Sequence, residues 1–202
     1  PFTLRYTTDG TVPTEESAEY EGPLTVTKSE TVSFALVSAK GTVGDVTKVE
    51  CVQAKPEKVD SLPSGLRVDV YEGDWQTVPD FTDLRPVKSA IATVVDVSPR
   101  TRDDYFALRY TGLFVAPVDG VYRFRLGSDD GSYLKIAGAK VIDNDGLHGY
   151  VQREGAVRLA AGAYPVEVGM FESGGAQQLT LEVLTPDGQW TSDTNGLFVR
   201  RE

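Results

Sequence analysis

Apolar residues recur at every second position through most of this chain, and almost every such run is broken by glycine, proline, asparagine or aspartate. A period of two sends successive side chains to opposite faces of an extended strand, so each run can bury one face and wet the other. In "GVYRFRLG", Tyr122, Phe124 and Leu126 fall on one side and Arg123 and Arg125 on the other. "GLRVDVYEG" gathers Leu66, Val68 and Val70, "TVSFALV" gathers Val32, Phe34 and Leu36, and "LTLEVLTPDG" gathers Leu179, Leu181 and Val183 ahead of a Pro-Asp-Gly turn. No helical stripe competes with this pattern; "TEESAEY" after Pro13 has room for a single turn. Short strands separated by turn signals predict an all-β chain of sandwich type.

The alternation stops once at length. "KPEKVDSLPSG", between "VECVQA" and "GLRVDVYEG", is charged, holds two prolines and reads as an exposed connection. It divides the chain into residues 1–54, a connection at 55–64, and residues 65–202. At about 54 residues the first block buries barely enough area to offset chain entropy, so it is expected to lean on a neighbour or on sequence upstream.

Composition excludes several functions. Twenty basic against thirty acidic residues leave a formal charge of -10, a field that repels nucleic acid and anionic lipid, so neither is an expected partner. No apolar run approaches the roughly 20 residues of a membrane-spanning helix, and no charged-then-apolar signal segment opens the chain. The chain begins at Pro1 and Met170 is its only methionine, so it reads as a piece of a longer product. Cys51, the single cysteine, rules out an internal disulfide and a multi-cysteine zinc site, and its place in "VTKVECVQA" predicts a small buried strand residue. There is no Gly-x-Ser-x-Gly elbow, His-Glu-x-x-His, phosphate loop or dinucleotide fingerprint. Glycoside hydrolysis needs two flanking carboxylates, and thirty acidic residues single out no pair. The chain is not expected to be an enzyme.

Two acidic, glycine-ended clusters stand out: Asp129-Asp130-Gly131 and Asp143-Asn144-Asp145-Gly146, with a strand-like run between them and the only histidine, His148, after the second. Asp-Gly pairs mark tight turns, so both could be consecutive hairpin ends of one sheet. Asp129, Asp130, Asp143, Asn144 and Asp145 also supply the hard oxygens that Ca²⁺ takes. An EF-hand fails, because with Gly146 as the sixth loop residue the first would be Val141 and the twelfth Gln152. Any cation site must therefore be assembled from separate loops. His148 has no nucleophile or carboxylate partner in a recognisable arrangement, which favours a structural hydrogen-bonding role beside its candidacy as a ligand contact. Trp75 and Tyr150, surrounded by polar residues and glycine, are the aromatic candidates for stacking on a ligand ring.

Two resemblances go further. Tyr6-Thr7-Thr8-Asp9-Gly10, Pro13-Thr14 and Tyr20-Glu21-Gly22-Pro23 resemble the small C-terminal, fibronectin-like β-domain of chitobiases and β-hexosaminidases. From about Gly65 to Gly188, "GLRVDVYEGDW", "FALRYTGLFVAPVDGVYRFRLGSDDGSYLKIAG", "VIDNDGLHG" and "LAAGAYPVEVGMFESGGAQQLTLEV" resemble, in order, the β-sandwich named for the fourteen-kilodalton fragment of anthrax protective antigen. The resemblances imply a small fibronectin- or Ig-like sandwich followed by a larger, jelly-roll-type antiparallel sandwich. They imply an extracytoplasmic, non-catalytic carbohydrate-binding region of a glycoside hydrolase, with a β-N-acetylhexosaminidase as parent and either a glycan or the parent's catalytic domain as partner. A structural spacer that stabilises the parent without binding glycan is the alternative. In the adhesin branch of the second family, adjacent aspartates joined by a cis peptide bind calcium and through it sugar hydroxyls; Asp129-Asp130 occupies the matching position, although a second calcium loop is not recognisable. The implied ligand-binding set is Trp75, Asp129, Asp130, Asn144, Asp145, His148 and Tyr150, with Asp129 and Asp130 as metal ligands.

Overall fold

The computed structural model describes residues 1–202 apart from Thr25, Thr27, Val52, Asp60, Asp187, Gln189, 193–195 and Glu202. Asp187, centre of the expected Pro-Asp-Gly turn, thus lies outside the described residues. The fold is all-β and antiparallel, with no helix among the described residues and none long and apolar enough to cross a membrane. The chain forms two compact units, Pro1–Gln53 and Ala54–Glu202.

In the first unit, β1 (Phe2–Thr7), β2 (Ala18–Glu19), β3 (Glu30–Ser38) and β4 (Thr47–Cys51) form one antiparallel sheet in the order β2-β1-β3-β4. The buried side of β3 is Ser33, Ala35 and Val37, together with Val32, whereas Leu36 is 52% exposed. That corrects the expected Val32/Phe34/Leu36 face: Phe34 pairs with Tyr6 and Leu36 with Leu4, and only the Tyr6, Tyr20 and Phe34 rings shelter one another on that side. Cys51 is free and half-buried at the strand end rather than buried. "TEESAEY" makes a turn, closed by the Ser17 amide on the Thr14 carbonyl, that runs into β2.

The second unit has two facing sheets. The larger is built from β5 (Leu66–Glu72), β6 (Lys88–Ala92), β7 (Phe106–Ala116), β9 (Ser132–Ile136), β10 (Ala139–Asn144) and β12 (Gly162–Glu172), in the order β10-β9-β12-β7-β5-β6. A short β15 (Phe198–Val199) pairs with β7 at Leu113 and Phe114. The smaller sheet is β11-β8-β13-β14, from β8 (Gly120–Asp129), β11 (Val151–Leu159), β13 (Gln178–Leu184) and β14 (Trp190–Thr191). Between them lie the alternating residues read from the sequence: Leu66, Val68 and Val70 from β5, Tyr122, Phe124 and Leu126 from β8, and Leu179, Leu181 and Val183 from β13. Phe114 sits at the centre, its ring 5.1 Å from Phe124 and 5.3 Å from Tyr122 in edge-to-face contacts and 5.5 Å from Phe198. On the wet side of β8, Arg125 bonds Glu154 and approaches Glu182 on the flanking strands and stacks 3.9 Å over Trp190.

Residues 55–64 are not a free connection. Glu57 and Ala163 exchange backbone hydrogen bonds in both directions, and Val59 and Leu62 pack with Leu113, Ala163 and Val199. Apolar residues inside a charged, proline-bearing stretch seat it along the second unit.

Truncating Phe114 should remove the central aromatic contact between the sheets. Phe114→Ala is expected to lower stability by about 3–5 kcal/mol, read as a shift in the urea unfolding midpoint.

Candidate functional site

The strand pairing turns the two acidic clusters into something other than hairpin ends. β8 belongs to the smaller sheet and β9 to the larger, so Asp129-Asp130-Gly131 is a corner where the chain crosses between layers. β10 and β11 are likewise in different sheets, and residues 145–150 make the second crossing. A third, 173–177, leads from β12 to β13. The true hairpin joins β9 to β10 at Ala137 and Gly138, both at positive φ (52° and 84°), the backbone of a tight two-residue reversal.

One carboxylate ties the three crossings together. Asp130 Oδ1 accepts from the His148 amide at 3.0 Å and Oδ2 from the Ser173 amide at 3.0 Å. Both bonds are to an ionisable group in a 6% exposed side chain, where charge-assisted bonds to backbone N–H are strong. Gly131 makes the approach possible: a Cβ there would stand 2.6 Å from the Gly146 nitrogen and 2.6 Å from the Phe171 ring. The Asp129–Asp130 peptide is cis.

Carboxylate oxygens of Asp129, Asp130 and Glu172 lie within 4.8 Å of one another. Glu172 is fully buried; its Oε1 accepts from the Gly174 amide at 2.7 Å, while Oε2 has no hydrogen-bond partner. Burial first, then the charges of Asp130 and Asp129, push the Glu172 carboxyl up to about 7. Burial and the Asp130 charge raise Asp129 as well. Below the corner, Ser128 and Ser132 share a 2.7 Å bond, and Asn144 Nδ2 donates to Ser128 Oγ and to the Val151 carbonyl. Asn144 Oδ1 is buried and without a partner. Three converging carboxylates, one with an orphaned buried oxygen, form an acceptor-rich cluster of the kind a hard cation satisfies.

The remaining candidate residues separate around this centre. His148 is structural in its bonds: Nδ1 meets the Gly149 carbonyl at 2.8 Å and Nε2 the Asn144 carbonyl at 2.9 Å, bracing the second crossing. Tyr150, 44% exposed, lies across Gly127 and reaches Thr180 Oγ1 at 3.1 Å. Asp145 turns the other way, its Oδ1 accepting from the Val78 and Gly146 amides. Trp75 is half-buried, packed over Gly73 and against the Tyr71, Phe81 and Phe171 cluster, so it is not the open stacking face expected of it. Glu172 is the residue the sequence reading passed over. Its signal was present: "FESGG" is a third acidic, glycine-ended strand terminus.

Comparison with known proteins identifies the domains. The PA14 domain family matches residues 62–196, and the chitobiase/beta-hexosaminidase C-terminal domain family matches residues 1–48. Both modules are non-catalytic. No curated protein matches the sequence. Among solved structures, an anti-sigma factor domain-containing protein is 20% identical with a TM-score of 0.59; the alignment covers 69% of this chain and 49% of that one, so this chain spans about half of that relative. A PA14 sugar-binding domain from an RTX adhesin is 17% identical (TM-score 0.59, 69% and 99% covered). The Epithelial Adhesin 9 A domain from Candida glabrata, solved in complex with Galβ1-4GlcNAc, is 16% identical (TM-score 0.56, 73% and 96% covered). At these identities the likeness establishes the fold.

Two outcomes follow from the acid cluster. Glu172 ionises near 4.5 in an unfolded chain and near 7 in the fold, so the fold favours its protonated form. Its stabilising contribution is complete below pH 4.5 and lost as pH rises through 7. In chelator-treated protein the unfolding midpoint should therefore fall across that window, and Glu172→Gln should flatten the fall. Gly131→Ala should cost about 2–3 kcal/mol because the obstructing Gly146 atoms are backbone, and amide exchange at His148 and Ser173 should accelerate with it.

Proposed function

The chain belongs to the PA14 domain family, and on that premise we propose that it is a non-catalytic carbohydrate-binding region whose ligand meets the end of the sandwich where the three crossings converge. The observation that carries this reading is the group of Asp129, Asp130 and Glu172 oxygens within 4.8 Å, one of them buried and without a partner. Calcium takes six to eight oxygens at about 2.3–2.6 Å, so two oxygens on one ion stand up to roughly 5 Å apart, and the spacing fits. Asp129, Asp130 and Glu172 would hold the ion. Calcium bound there supplies charge that offsets the mutual repulsion of the carboxylates, and coordination positions for ligand hydroxyls. The chain's own contribution is to fix the rim: Asp130 fastens two crossings by their amides, and Leu147 and Tyr150, 54% and 44% exposed, offer apolar surface beside the cluster. An RTX adhesin relative described as sugar-binding and an adhesin relative solved with Galβ1-4GlcNAc support a saccharide as the ligand class. The match at residues 1–48 supports a β-N-acetylhexosaminidase as parent and an extracytoplasmic location.

A second reading has its own support. On the first unit, Phe2, Leu36 and Val49 are 60%, 52% and 46% exposed, an apolar surface that suits a spacer packing against the parent's catalytic domain.

Glycan-array binding of the fragment, run in calcium and in chelator, separates the two. The carbohydrate reading expects calcium-dependent binding, a melting temperature raised by calcium, and calcium affinity at least tenfold weaker in Asp129→Asn. Absence of glycan binding under both conditions, with a parent enzyme that loses stability when this region is deleted, would leave the spacer.

A further inference from the structure

The core-distal face of the larger sheet carries a cleft that is separate from the acid cluster. Residues 73–84 fold back over this face, and Phe81, Tyr71, Tyr133, Phe171 and Ala107 form a small second core beneath them. Beside that core opens a cleft of about 420 Å³, within the range of small-ligand sites. Asp145 contributes to its wall, and the Asp145 bond to the Val78 amide joins the second crossing to the covering segment. None of Asp129, Asp130 and Glu172 lines this cleft.

The chemistry of the lining is an ordered mixture of signs. Arg109, Lys135 and Lys140 supply three positive charges, and Asp80, Asp145 and Glu167 supply three negative ones, in a chain whose formal charge is -10. Glu167 organises the positive side: it accepts from Arg109 Nε at 2.8 Å, from Lys135 Nζ at 3.2 Å and from the Tyr133 hydroxyl at 2.7 Å. Guanidinium has five N–H groups and ammonium three, so donors remain on both after Glu167 is served. Asp80 Oδ1 holds the Thr82 amide and hydroxyl, and Asp145 Oδ1 holds the Val78 and Gly146 amides. The second oxygen of each aspartate has no partner among the described residues.

Such a surface discriminates. An anion or a cation would meet as many like charges as opposite ones, whereas a hydroxyl both donates and accepts and can bridge fixed cations to fixed carboxylates without a net charge. Stacking is closed off: Tyr133 is covered by Gly169 on one side and by the Lys135 ammonium, 4.4 Å away, while Phe81 is buried against Tyr71. The network is already held in place before any ligand arrives, so little ordering entropy is lost on binding.

We infer that this cleft is a second saccharide site, independent of calcium, for a neutral sugar held through its hydroxyls. The choice of a saccharide over other polyols rests on the carbohydrate-binding reading above; the independence from calcium rests on the geometry. Asp80→Asn keeps the Oδ1 that turns the chain at Thr82, and Lys140→Met removes only an ammonium whose 3.0 Å partner, Asp143, is exposed, so both variants should fold with unchanged melting temperature.

The test is a heteronuclear NMR titration of the whole chain in chelator with Galβ1-4GlcNAc, GlcNAcβ1-4GlcNAc and cellobiose, with glucuronate and glucosamine as charged controls. At least one neutral disaccharide should shift amides at residues 78–82 and 133–140 saturably, and each variant should weaken that binding about tenfold or more. No shift at the cleft in chelator, while calcium-dependent binding persists at the acid cluster, overturns this inference and leaves the proposed function standing. No sugar binding in calcium or in chelator overturns both. Tighter binding of glucuronate or glucosamine than of every neutral disaccharide overturns the ligand class.

Discussion

The Asp130 carboxylate, with one oxygen on the His148 amide and the other on the Ser173 amide, is the contact on which the end of the sandwich around the acid cluster depends. Each of those amides belongs to a different passage between the two sheets, and Asp130 itself stands in a third. A loop that leaves one layer and enters another has no ladder partner over the gap, so its backbone N–H groups must be satisfied by side chains or water. A buried anion answers two of them at once and in doing so fixes the distance between the passages. Gly131 admits the neighbouring backbone at a distance no side chain would tolerate.

That solution creates an electrostatic problem. Drawing Asp129, Asp130 and Glu172 into one buried space sets like charges against one another in a poorly solvated place, and the fold answers by holding Glu172 near neutrality at about 7. A proton and a divalent cation are two ways of relieving the same repulsion. If the proposed cation binds, the two compete, and its affinity would rise with pH as the proton leaves Glu172.

The two faces of the larger sheet serve different ends. Its inner face is aliphatic and aromatic and meets the smaller sheet across Phe114. The outer face is charged, and the Arg109–Glu167–Lys135 network lies across β7, β12 and β9, whose register places Thr111 opposite Glu167 and Glu167 opposite Lys135. Cross-strand pairs of this kind are individually modest, but here Glu167 joins two of them through one carboxylate.

Much was legible in the sequence because the strand period is local physics. Alternation at Tyr122/Phe124/Leu126 and Leu66/Val68/Val70 identifies strands and their dry faces without knowledge of partners, and the acidic, glycine-ended breaks mark where strands stop. It failed for Leu36, because the covered side of β3 is the one carrying Ser33, Ala35 and Val37. It failed for residues 55–64, where charge and proline signalled exposure but Val59 and Leu62 found a surface. Which sheet each strand joins is not encoded in its period, because hairpin and sheet-to-sheet connections use the same aspartates and glycines. Only the tertiary structure decided that β8 and β9 lie in different layers, and hence that Asp129, Asp130 and Glu172, the last 42 positions or more along the chain from the others, share one space. The sequence by itself determined strands, turns and their chemistry; the long-range pairing of those strands, set by packing across the core, determined which turns meet.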